Sequence, residues 1–465
     1  MKSIILFLLV FFNYTNNFAN EVIDLPKNYK VENTFSGDLI SNESFHLVFT
    51  ENKDNNQFEL FCYLFDGATV TDLGSAKSSD SYSIISFHHY DNSISLLVSY
   101  GKKKEKFIKR IDIDKVNKVI TESESFNHDD FYLSIRKKHK TILLYKSKEK
   151  FTIKQFNTTE APKEYSFSIE KKSRLDKYLE YQNFKSVNTD EFVSNGPANN
   201  NKVYLYDNVL VFIKDIENTN TVDVLSIDLS VDKPSLQFNE FTTGKEVLKR
   251  STSYLFENNL YQLSLEKEKG SLIISDVLSG EKLNHIDLNT LTASVIHTSD
   301  GFENVQEFLK QSAKNKHIPT ITVNKTLNNN YIVRFDYVDV AYSYNYDWWW
   351  HHQQFMMWNH QQRAINDAMK SIPRFGPNIN DIYFETYLTD EKHYFELQLD
   401  ASLSIISGNV KEPPIHKEVD KKEYIDKLDE IPRLKHTSSC FLKDSFRYIA
   451  YSNEQKAIVI QSNSL

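Results

Sequence analysis

The chain of 465 residues is poor in cysteine and glycine. It has only 2 cysteines, Cys62 and Cys440, whereas small secreted domains that depend on disulfides carry many more. The sequence therefore excludes a disulfide scaffold, and it has no metal-binding pair of cysteines. Glycine occurs only 11 times, which is unusual for a protein with many tight turns. We expect Asn and Asp, which tolerate the left-handed backbone conformation, to replace glycine in these turns.

Long hydrophobic runs and catalytic motifs are also missing. After the N-terminus no stretch approaches the roughly 18 apolar residues that a membrane-spanning helix needs. The GxSxG, HExxH, GxGxxG, P-loop and CxxC motifs are all absent. Acidic pairs such as Asp112 and Asp114 are more typical of solvated turns than of acid/base dyads. The sequence indicates no cofactor and does not decide whether the protein is an enzyme.

The first residues have the order of a secretory signal peptide. Lys2 precedes an apolar run from Ile4 to Phe12, and the small residue Ala19 follows. Nine apolar residues are too few to span a bilayer, so a membrane anchor is disfavoured. The sequence predicts cleavage after Ala19, so that residues 1–19 are a signal peptide and the mature protein is secreted or periplasmic, with no transmembrane segment.

Short segments in which apolar and polar residues alternate fill most of the chain. Each fits a strand of five to eight residues, with Asn, Asp or charged residues between consecutive segments. Helices that would connect parallel strands are missing, so the sequence predicts a mostly antiparallel all-β protein. The clearest of these segments are 45–50, 58–65, 94–100, 131–136, 141–146, 151–156, 203–207, 209–215, 222–229, 260–265 and 271–277.

The strands recur in groups. Hairpins begin near residues 45, 94, 131, 203 and 252, and a similar turn recurs in FDGATV (65–70), TTGKEV (242–247) and LSGEKL (278–283). The segment GSLIISDVLSGEKLNHIDL (270–288) resembles the outer hairpin of a β-propeller blade. This resemblance to generic β-propeller repeat proteins implies a ring of about six or seven antiparallel blades. A β-sandwich followed by an α+β domain is the alternative, and we favour the propeller.

The chain ends suggest how such a ring would close. Two strands, 446–452 and 456–462, end the chain, and YKVENTF (29–35) is a lone strand near its start. A ring that takes its last strand from the N-terminus has this pattern, because closure protects sheet edges. Closure would make the blades of Cys62 and Cys440 neighbours. The two thiols could then form a disulfide if their Cα atoms came within about 7 Å, although strand alternation can also point them apart.

Helical segments interrupt the strands. Segments 171–184 and 302–314 have apolar residues at helical spacing, and 411–432 reads as a charged surface excursion with a short helix. A third helix is predicted from the N-cap Asp347 to Ile372, between strands 331–343 and 381–388. We therefore expect one domain over residues 20–465, with a helical insertion at about 344–380.

All four tryptophans of the chain lie in this insertion, in DWWWHHQQFMMWNHQQ (347–362). One helical stripe, which includes Phe355, Trp358 and Ile365, would pack on the body of the protein and needs no function. That stripe cannot also bury the remaining aromatic and methionine side chains, and a contiguous exposed patch usually marks a contact surface. The residues predicted to bind a protein, a glycan or a membrane surface are Trp348, Trp349, Trp350, Met356 and Met357.

Three residues of the same helix have the spacing of metal ligands. His352, Met356 and His360 stand four residues apart on one helical face, and imidazole with thioether is a ligand set that copper accepts. No Asp or Glu lies close enough in sequence to orient these histidines. Plain packing of the histidines is the competing interpretation.

Charge is distributed unevenly along the chain. The formal balance is −8, yet residues 101–186 hold 22 Lys/Arg against 13 Asp/Glu. Clusters such as GKKKEKFIKR (101–110) and RKKHK (136–140) could face an acidic polysaccharide, lipid head groups or an acidic partner, although lysines also protect the solvent edges of strands. Nucleic acid is not expected to be a partner of an exported, net acidic chain.

These patterns favour an exported, non-enzymatic binding or scaffold protein that acts through its surface loops. The alternative is an exported hydrolase or lyase that acts on a polysaccharide-type substrate, with its site assembled from separate blades.

Overall fold

The computed structural model describes residues 20–339 and 394–465, apart from short gaps. The gaps are residues 40–41, 91, 103–104, 124, 138, 158–160, 181–183, 190–196, 198, 217–218, 220, 243–249, 267–268, 297–300, 313–316, 409–411, 416–423, 426, 429–430 and 432.

The described residues form seven sheets, which we number as blades 1 to 7 in chain order. Their strand pairs are antiparallel except for one short parallel pair, in which residues 185–186 lie beside residues 202–203 in blade 4. The first strand, β1 (Asn20–Ile23), belongs to blade 7. Blade 1 consists of β2 (Tyr29–Asp38), β3 (Ser44–Asn52), β4 (Gln57–Phe65) and β5 (Val70–Ser78). Blade 2 consists of β6 (Ser83–Tyr90), β7 (Ser93–Lys102), β8 (Glu105–Asp114), β9 (Val119–Glu122) and β10 (Phe126–Asn127). Blade 3 consists of β11 (Phe131–Lys137), β12 (Lys140–Lys146), β13 (Lys150–Phe156) and β14 (Lys163–Ser168).

Blades 4 to 7 continue the same meander. Blade 4 consists of β15 (Lys185–Ser186), β16 (Asn201–Tyr206), β17 (Val209–Asp215), β18 (Thr221–Asp228) and β19 (Leu236–Thr242), and blade 5 of β20 (Arg250–Phe256), β21 (Asn259–Glu266), β22 (Lys269–Asp276) and β23 (Lys282–Asp287). Blade 6 consists of β24 (His317–Lys325), β25 (Tyr331–Asp339) and β26 (Phe395–Leu399). Blade 7 consists of β27 (Leu434–Phe441), β28 (Ser445–Ser452) and β29 (Ala457–Ser464), with β1 as its fourth strand. The two α-helices among the described residues are Arg174–Leu179 and Gly301–Ser312, and two 3₁₀ turns span Leu288–Thr290 and Ala293–Val295.

The blades pack side by side through their faces. The first long strands of neighbouring blades contact each other, as in β2 with β27, β6 with β11, and β20 with β24. Apolar clusters fill the spaces between blades: one joins blades 1 and 2, one joins blades 3 and 4, and the largest joins blades 4, 5 and 6. A sheet whose two faces both pack on neighbours needs apolar residues on both faces, which explains the fully buried runs in strands such as β17. The architecture is a seven-bladed β-propeller.

The N-terminus closes the ring, but with a different strand from the one that the sequence predicted. The four residues of β1 pair antiparallel with β29, from Asn20 opposite Gln461 to Ile23 opposite Ile458. The prediction that 29–35 is the closing strand is wrong, because this segment begins β2, the first strand of blade 1. The reason is that β2 pairs with β3 over its whole length and so belongs to blade 1, while β1 occupies the edge of β29.

The strands predicted from alternation are confirmed, and so is the outer hairpin at 270–288, where β22 leads into β23. The alternative β-sandwich is therefore wrong. Of the helices, 302–314 is confirmed as Gly301–Ser312, and in the described part of 171–184 the helix spans Arg174–Leu179. The strand that pairs with β25 is Phe395–Leu399; the predicted strand 381–388 lies outside the described residues.

The turns show how the protein manages with little glycine. Asn56, Asp130, Asp207 and Asn329 have positive φ angles, as predicted for these residue types. Lys and Glu residues adopt the same conformation elsewhere, for example Lys118. The prediction was correct for Asn and Asp but did not include these longer side chains.

The two cysteines lie in neighbouring blades, as ring closure requires. Cys62 is in β4 of blade 1 and Cys440 is in β27 of blade 7, and β27 contacts β2 of blade 1. Both thiols are buried and unbonded. Cys62 belongs to the apolar cluster between blades 1 and 2, on the side of blade 1 that faces away from blade 7. Strand alternation therefore separates the thiols.

Candidate functional site

The residues predicted to bind a partner lie outside the described residues, as do the predicted copper ligands. The partner-binding set is Trp348, Trp349, Trp350, Met356 and Met357, and the ligand set is His352, Met356 and His360. The structure does define the place where this segment joins the propeller. It connects β25 to β26, which are paired neighbours in blade 6 through contacts such as Phe335 opposite Phe395.

A second region, among the described residues, brings buried and half-buried titratable side chains together at one rim of the propeller. The first strands of blades 1, 2 and 3 run in the same direction, and their ends bring together Asp38, His89 and Arg136. Arg136 Nη2 donates to Asp38 Oδ1 over 2.9 Å, which joins blade 3 to blade 1 across blade 2. The Arg136 guanidinium lies 3.7 Å from the centroid of the Phe87 ring, between the two blades that it links.

Two consecutive histidines, His88 and His89, lie near the end of β6. His88 is fully buried, and its Nδ1 lies 3.3 Å from Thr141 Oγ1, which is also 3.0 Å from Ser86 Oγ. His89 is 8% exposed, and its ring lies 5.1 Å from that of the exposed His139. Three ring nitrogens have no hydrogen-bond partner among the described residues: both nitrogens of His89 and Nε2 of His88.

Burial and nearby cations keep both histidines neutral. Burial lowers the pKa of His88 to about 3, and Arg110 and Arg136 lower it in the same sense. Burial likewise lowers the pKa of His89 to about 4, assisted by His139, Arg136 and Lys115 and opposed by Asp38. The net potential at both rings is therefore positive.

The cations around the histidines are themselves paired. Arg110 Nε donates to Asp112 Oδ2 over 2.8 Å, and Ser95 Oγ donates to the other oxygen of that carboxylate over 2.5 Å. Lys115 Nζ lies 3.1 Å from Glu43 Oε2, which ties blade 2 to blade 1. Several cations of the basic segment 101–186 are thus used inside the propeller and are not available to an external partner.

The junction between blades 7 and 1 holds a different polar network. Arg447 is 2% exposed and donates through Nη1 to Ser44 Oγ over 3.2 Å and to the Phe65 carbonyl over 2.8 Å. Ser44 Oγ is 3.0 Å from His46 Nε2, and His46 Nδ1 is 2.8 Å from Ser36 Oγ. Burial lowers the pKa of His46 to about 3, so the ring is neutral and can accept at one nitrogen and donate at the other.

This network ends on the closing blade, because Ser36 Oγ donates to the Ser438 carbonyl over 3.0 Å. Gly67 makes the arrangement possible. It has a φ angle of +101, and a Cβ at this position would lie 2.6 Å from Arg447 Nη2. We interpret this network as an interaction that holds blades 7 and 1 together where the ring closes.

A buried ion pair joins blades 4 and 5. Lys202 Nζ lies 2.6 Å from Asp215 Oδ2 and donates to the Ser253 carbonyl over 2.6 Å. Ser253 donates to the same carboxylate through Oγ over 2.6 Å and through its backbone N–H over 3.1 Å. All three residues therefore have hydrogen-bond partners in the interior.

Sequence analysis did not find the histidine cluster. The signal that could have indicated it is the pair His88–His89 in SFHHY (86–90), since two adjacent histidines in a strand cannot both face solvent. No group of three or more His, Cys, Asp or Glu residues in the described part of the chain is arranged to hold a metal ion. Over the same residues, no helix is both long and apolar enough to cross a membrane.

Comparison with known proteins gives structural likeness but no sequence relative. No family model matches the chain, and no curated protein matches it. Hsv2 from Kluyveromyces lactis matches over 96% of this chain and 98% of its own, with 9% identity and a TM-score of 0.29. The WD40 domain of SCAP from fission yeast matches over 96% of this chain and 98% of its own, with 8% identity and a TM-score of 0.27.

The β-propeller domain of the Trilobed protease from Pyrococcus furiosus matches over 66% of this chain and 91% of its own, with 10% identity and a TM-score of 0.26. Scores this low do not carry an argument. The fold assignment rests on the seven sheets and their closing strand.

Proposed function

We propose that the protein is an exported β-propeller that binds a partner through the segment inserted in blade 6. The observation that supports this most is the length of one connection. In the other six blades, two to five residues join the second strand to the third, as in Lys53–Asn56 of blade 1. In blade 6, residues 340–394 join β25 to β26.

Long connections on a rigid scaffold are the usual place for binding residues, because the scaffold keeps its fold whatever the loop contains. This connection contains all four tryptophans of the chain. Aromatic side chains contribute large contact areas at interfaces with proteins, glycans and membrane surfaces. The three neighbouring residues Trp348, Trp349 and Trp350 are our principal contact residues, with Met356 and Met357 beside them.

Blade 6 can tolerate the insertion because the two strands that flank it, β25 and β26, are packed in the core. Phe335 and Phe395 are fully buried and stack with their ring centroids 4.6 Å apart. Phe308 of helix Gly301–Ser312 packs edge-on against Phe395, 5.4 Å away. The strands that flank the insertion therefore form a fixed base for it.

One feature supports export. The leader has the order of a signal peptide, with Lys2, an apolar run from Ile4 to Phe12 and the small residue Ala19. Fractionation of cells that express the full chain tests export: we expect a shortened protein that begins at Asn20 in the exported fraction. A full-length protein retained in the cytoplasm would contradict it.

A triple substitution of Trp348, Trp349 and Trp350 to Ser tests the binding segment. We expect the free energy of unfolding to change by less than about 1 kcal/mol, because surface substitutions have small effects. We test binding of the native protein to protein extracts, glycan arrays and lipid vesicles, and we expect the triple variant to lose whichever of these interactions the native protein shows. A matched control is Phe335→Ser, which we expect to unfold blade 6. Native-like binding by the triple variant would overturn the assignment.

A further inference from the structure

One face of blade 6 is polar although it is buried. Residues that stand directly opposite each other in an antiparallel sheet share a face, so the register places Thr322, Arg334 and Glu396 on the same side of the blade. Seven of the eight residues on that side are polar, and none is more than 7% exposed. We call it the polar face of blade 6, and its polar residues are Thr320, Thr322, Asn324, Arg334, Asp336, Glu396 and Gln398.

The opposite face of blade 6 is apolar and packs on blade 5. It carries Ile321, Val323, Val333 and Phe335, which belong to the apolar cluster that joins blades 4, 5 and 6. The polar face must therefore point toward blade 7, the other neighbour of blade 6 in the ring. A sheet that packs on neighbours through both faces is normally apolar on both, so the polar face is an exception.

Apolar clusters join the other neighbouring blades. Besides the clusters between blades 1 and 2, blades 3 and 4, and blades 4, 5 and 6, one cluster joins Phe65 of blade 1 to Ile449 of blade 7. Another joins Leu97 of blade 2 to Leu143 of blade 3. In the part of the chain that the structure describes, no apolar cluster contains residues of both blade 6 and blade 7. As far as these residues show, the junction of blades 6 and 7 is built differently from the other six.

Blade 7 is covered on this side by a connection of the chain. The Phe446 ring of β28 lies 5.4 Å from the Tyr424 ring, between centroids, and Leu428 belongs to the same apolar cluster. Tyr424 and Leu428 lie in the connection between β26 and β27. Side chains alternate along β28, so Ile449 points the other way, into the cluster with blade 1. The apolar face of blade 7 is therefore buried without the help of the strands of blade 6.

The polar face loses little when it separates from its neighbour. Arg334 Nε donates to Glu396 Oε1 over 2.7 Å within the blade, so this ion pair stays intact when the junction opens. Thr320 Oγ1 and Asn324 Nδ2 have no hydrogen-bond partner among the described residues, and water can supply one. Separation of an apolar junction, in contrast, exposes apolar surface to water, which is unfavourable in proportion to its area.

We propose that the propeller opens reversibly at the junction of blades 6 and 7 while the other six junctions remain closed. Local openings of this kind occur in the least stable parts of a fold. Blade 6 stays attached to blade 5 through its apolar face, and blade 7 stays attached to blade 1. The opening admits water to the polar face and moves blade 6, which carries the inserted segment, relative to blade 7. It does not depend on the proposed binding function, because it occurs in the protein alone.

Thiol labelling of the folded full chain measures the opening. Thr322→Cys places a thiol on the polar face, and the two native cysteines, both fully buried, act as references in the same molecule. Cys62 reports on the junction of blades 1 and 2, and Cys440, which stands opposite Arg447, reports on the junction of blades 7 and 1. Each labelling rate with N-ethylmaleimide at pH 7 is divided by the rate of the same thiol in urea, and the labelled sites are identified by peptide mass spectrometry. We expect the thiol at position 322 to react at least about tenfold faster than both references.

Val323→Cys is the matched control, since it is the next residue of the same strand and faces blade 5. We expect its labelling rate to stay within about threefold of that of Cys62. Thr320→Cys, which removes a hydroxyl without a partner among the described residues, is a second reporter on the polar face. Labelling of positions 320 and 322 at the rate of Cys62 would overturn the proposal, because only unfolding of the whole protein would then expose them. Equally fast labelling at positions 322 and 323 would also overturn it, since β24 itself would then be unfolding.

Discussion

The junction of blades 4 and 5 and the end of β6 both bury polar side chains, but they satisfy them differently. At the first, Lys202, Asp215 and Ser253 bond to one another. At the second, His88 and His89 keep three ring nitrogens without a partner among the described residues. A satisfied buried network is explained by the fold alone, because each group replaces its bonds to water.

The unsatisfied cluster has no such explanation, since an unpaired buried group costs about 1–3 kcal/mol. The difference separates a structural junction from a candidate site without reference to any relative. It also predicts that the two regions respond in opposite ways to the removal of polar atoms.

The largest effect is expected at the structural junction. Asp215→Ala leaves the Lys202 ammonium buried without its counter-ion, and we expect the free energy of unfolding to fall by about 3–5 kcal/mol. Urea denaturation at pH 7 measures this. The double variant Lys202→Met with Asp215→Leu removes both charges and should recover part of the loss, because Ser253 still loses its acceptor. A single variant that costs less than about 1 kcal/mol would show that the pair is not buried as described.

The sequence predicted the strands well because alternation is a local signal, recorded in each segment of five to eight residues. It misassigned the closing strand because β1 has only four residues, too few to show a period, whereas 29–35 alternates clearly. Blade order followed from the antiparallel connections.

The polar networks could not be predicted in the same way, because their partners are far apart in the chain. Asp38 and Arg136 are separated by 98 residues, and Ser36 reaches Ser438 across 402. Only the ring geometry brings them together. The aromatic segment 347–362 is the opposite case: its composition is obvious in the sequence, and its predicted roles remain predictions.

For each histidine taken singly, an intermediate effect is expected from acid. The pKa values of His88 and His89 are lowered to about 3 and about 4, whereas an unfolded histidine titrates near 6.5. Below pH 6.5 the unfolded chain takes up protons at these histidines that the folded chain does not. Their contribution to the free energy of unfolding is therefore fully present above pH 6.5 and is lost as the pH falls toward 4. Each histidine contributes a slope of up to about 1.4 kcal/mol per pH unit.

Urea denaturation at pH 7, 6, 5 and 4.5 in low-salt buffer measures this slope. The variant His89→Leu should show a shallower fall between pH 6.5 and 4 than the native chain, and Ser253→Ala should keep the native slope. Equal slopes in the native chain and His89→Leu would contradict the buried, neutral state of His89.

The smallest effect on the free energy of unfolding is expected from a substitution of His89. At pH 7, His89→Leu removes two ring nitrogens that have no partner among the described residues, so no hydrogen bond is lost and a buried polar group is replaced by an apolar one of similar size. We expect the free energy of unfolding to change by less than about 0.5 kcal/mol or to rise. Ser253→Ala, in contrast, removes the bond from Oγ to the Asp215 carboxylate and should cost about 1.5–3 kcal/mol. If His89→Leu costs as much as Ser253→Ala, His89 has a structural partner, and the distinction between the two regions fails.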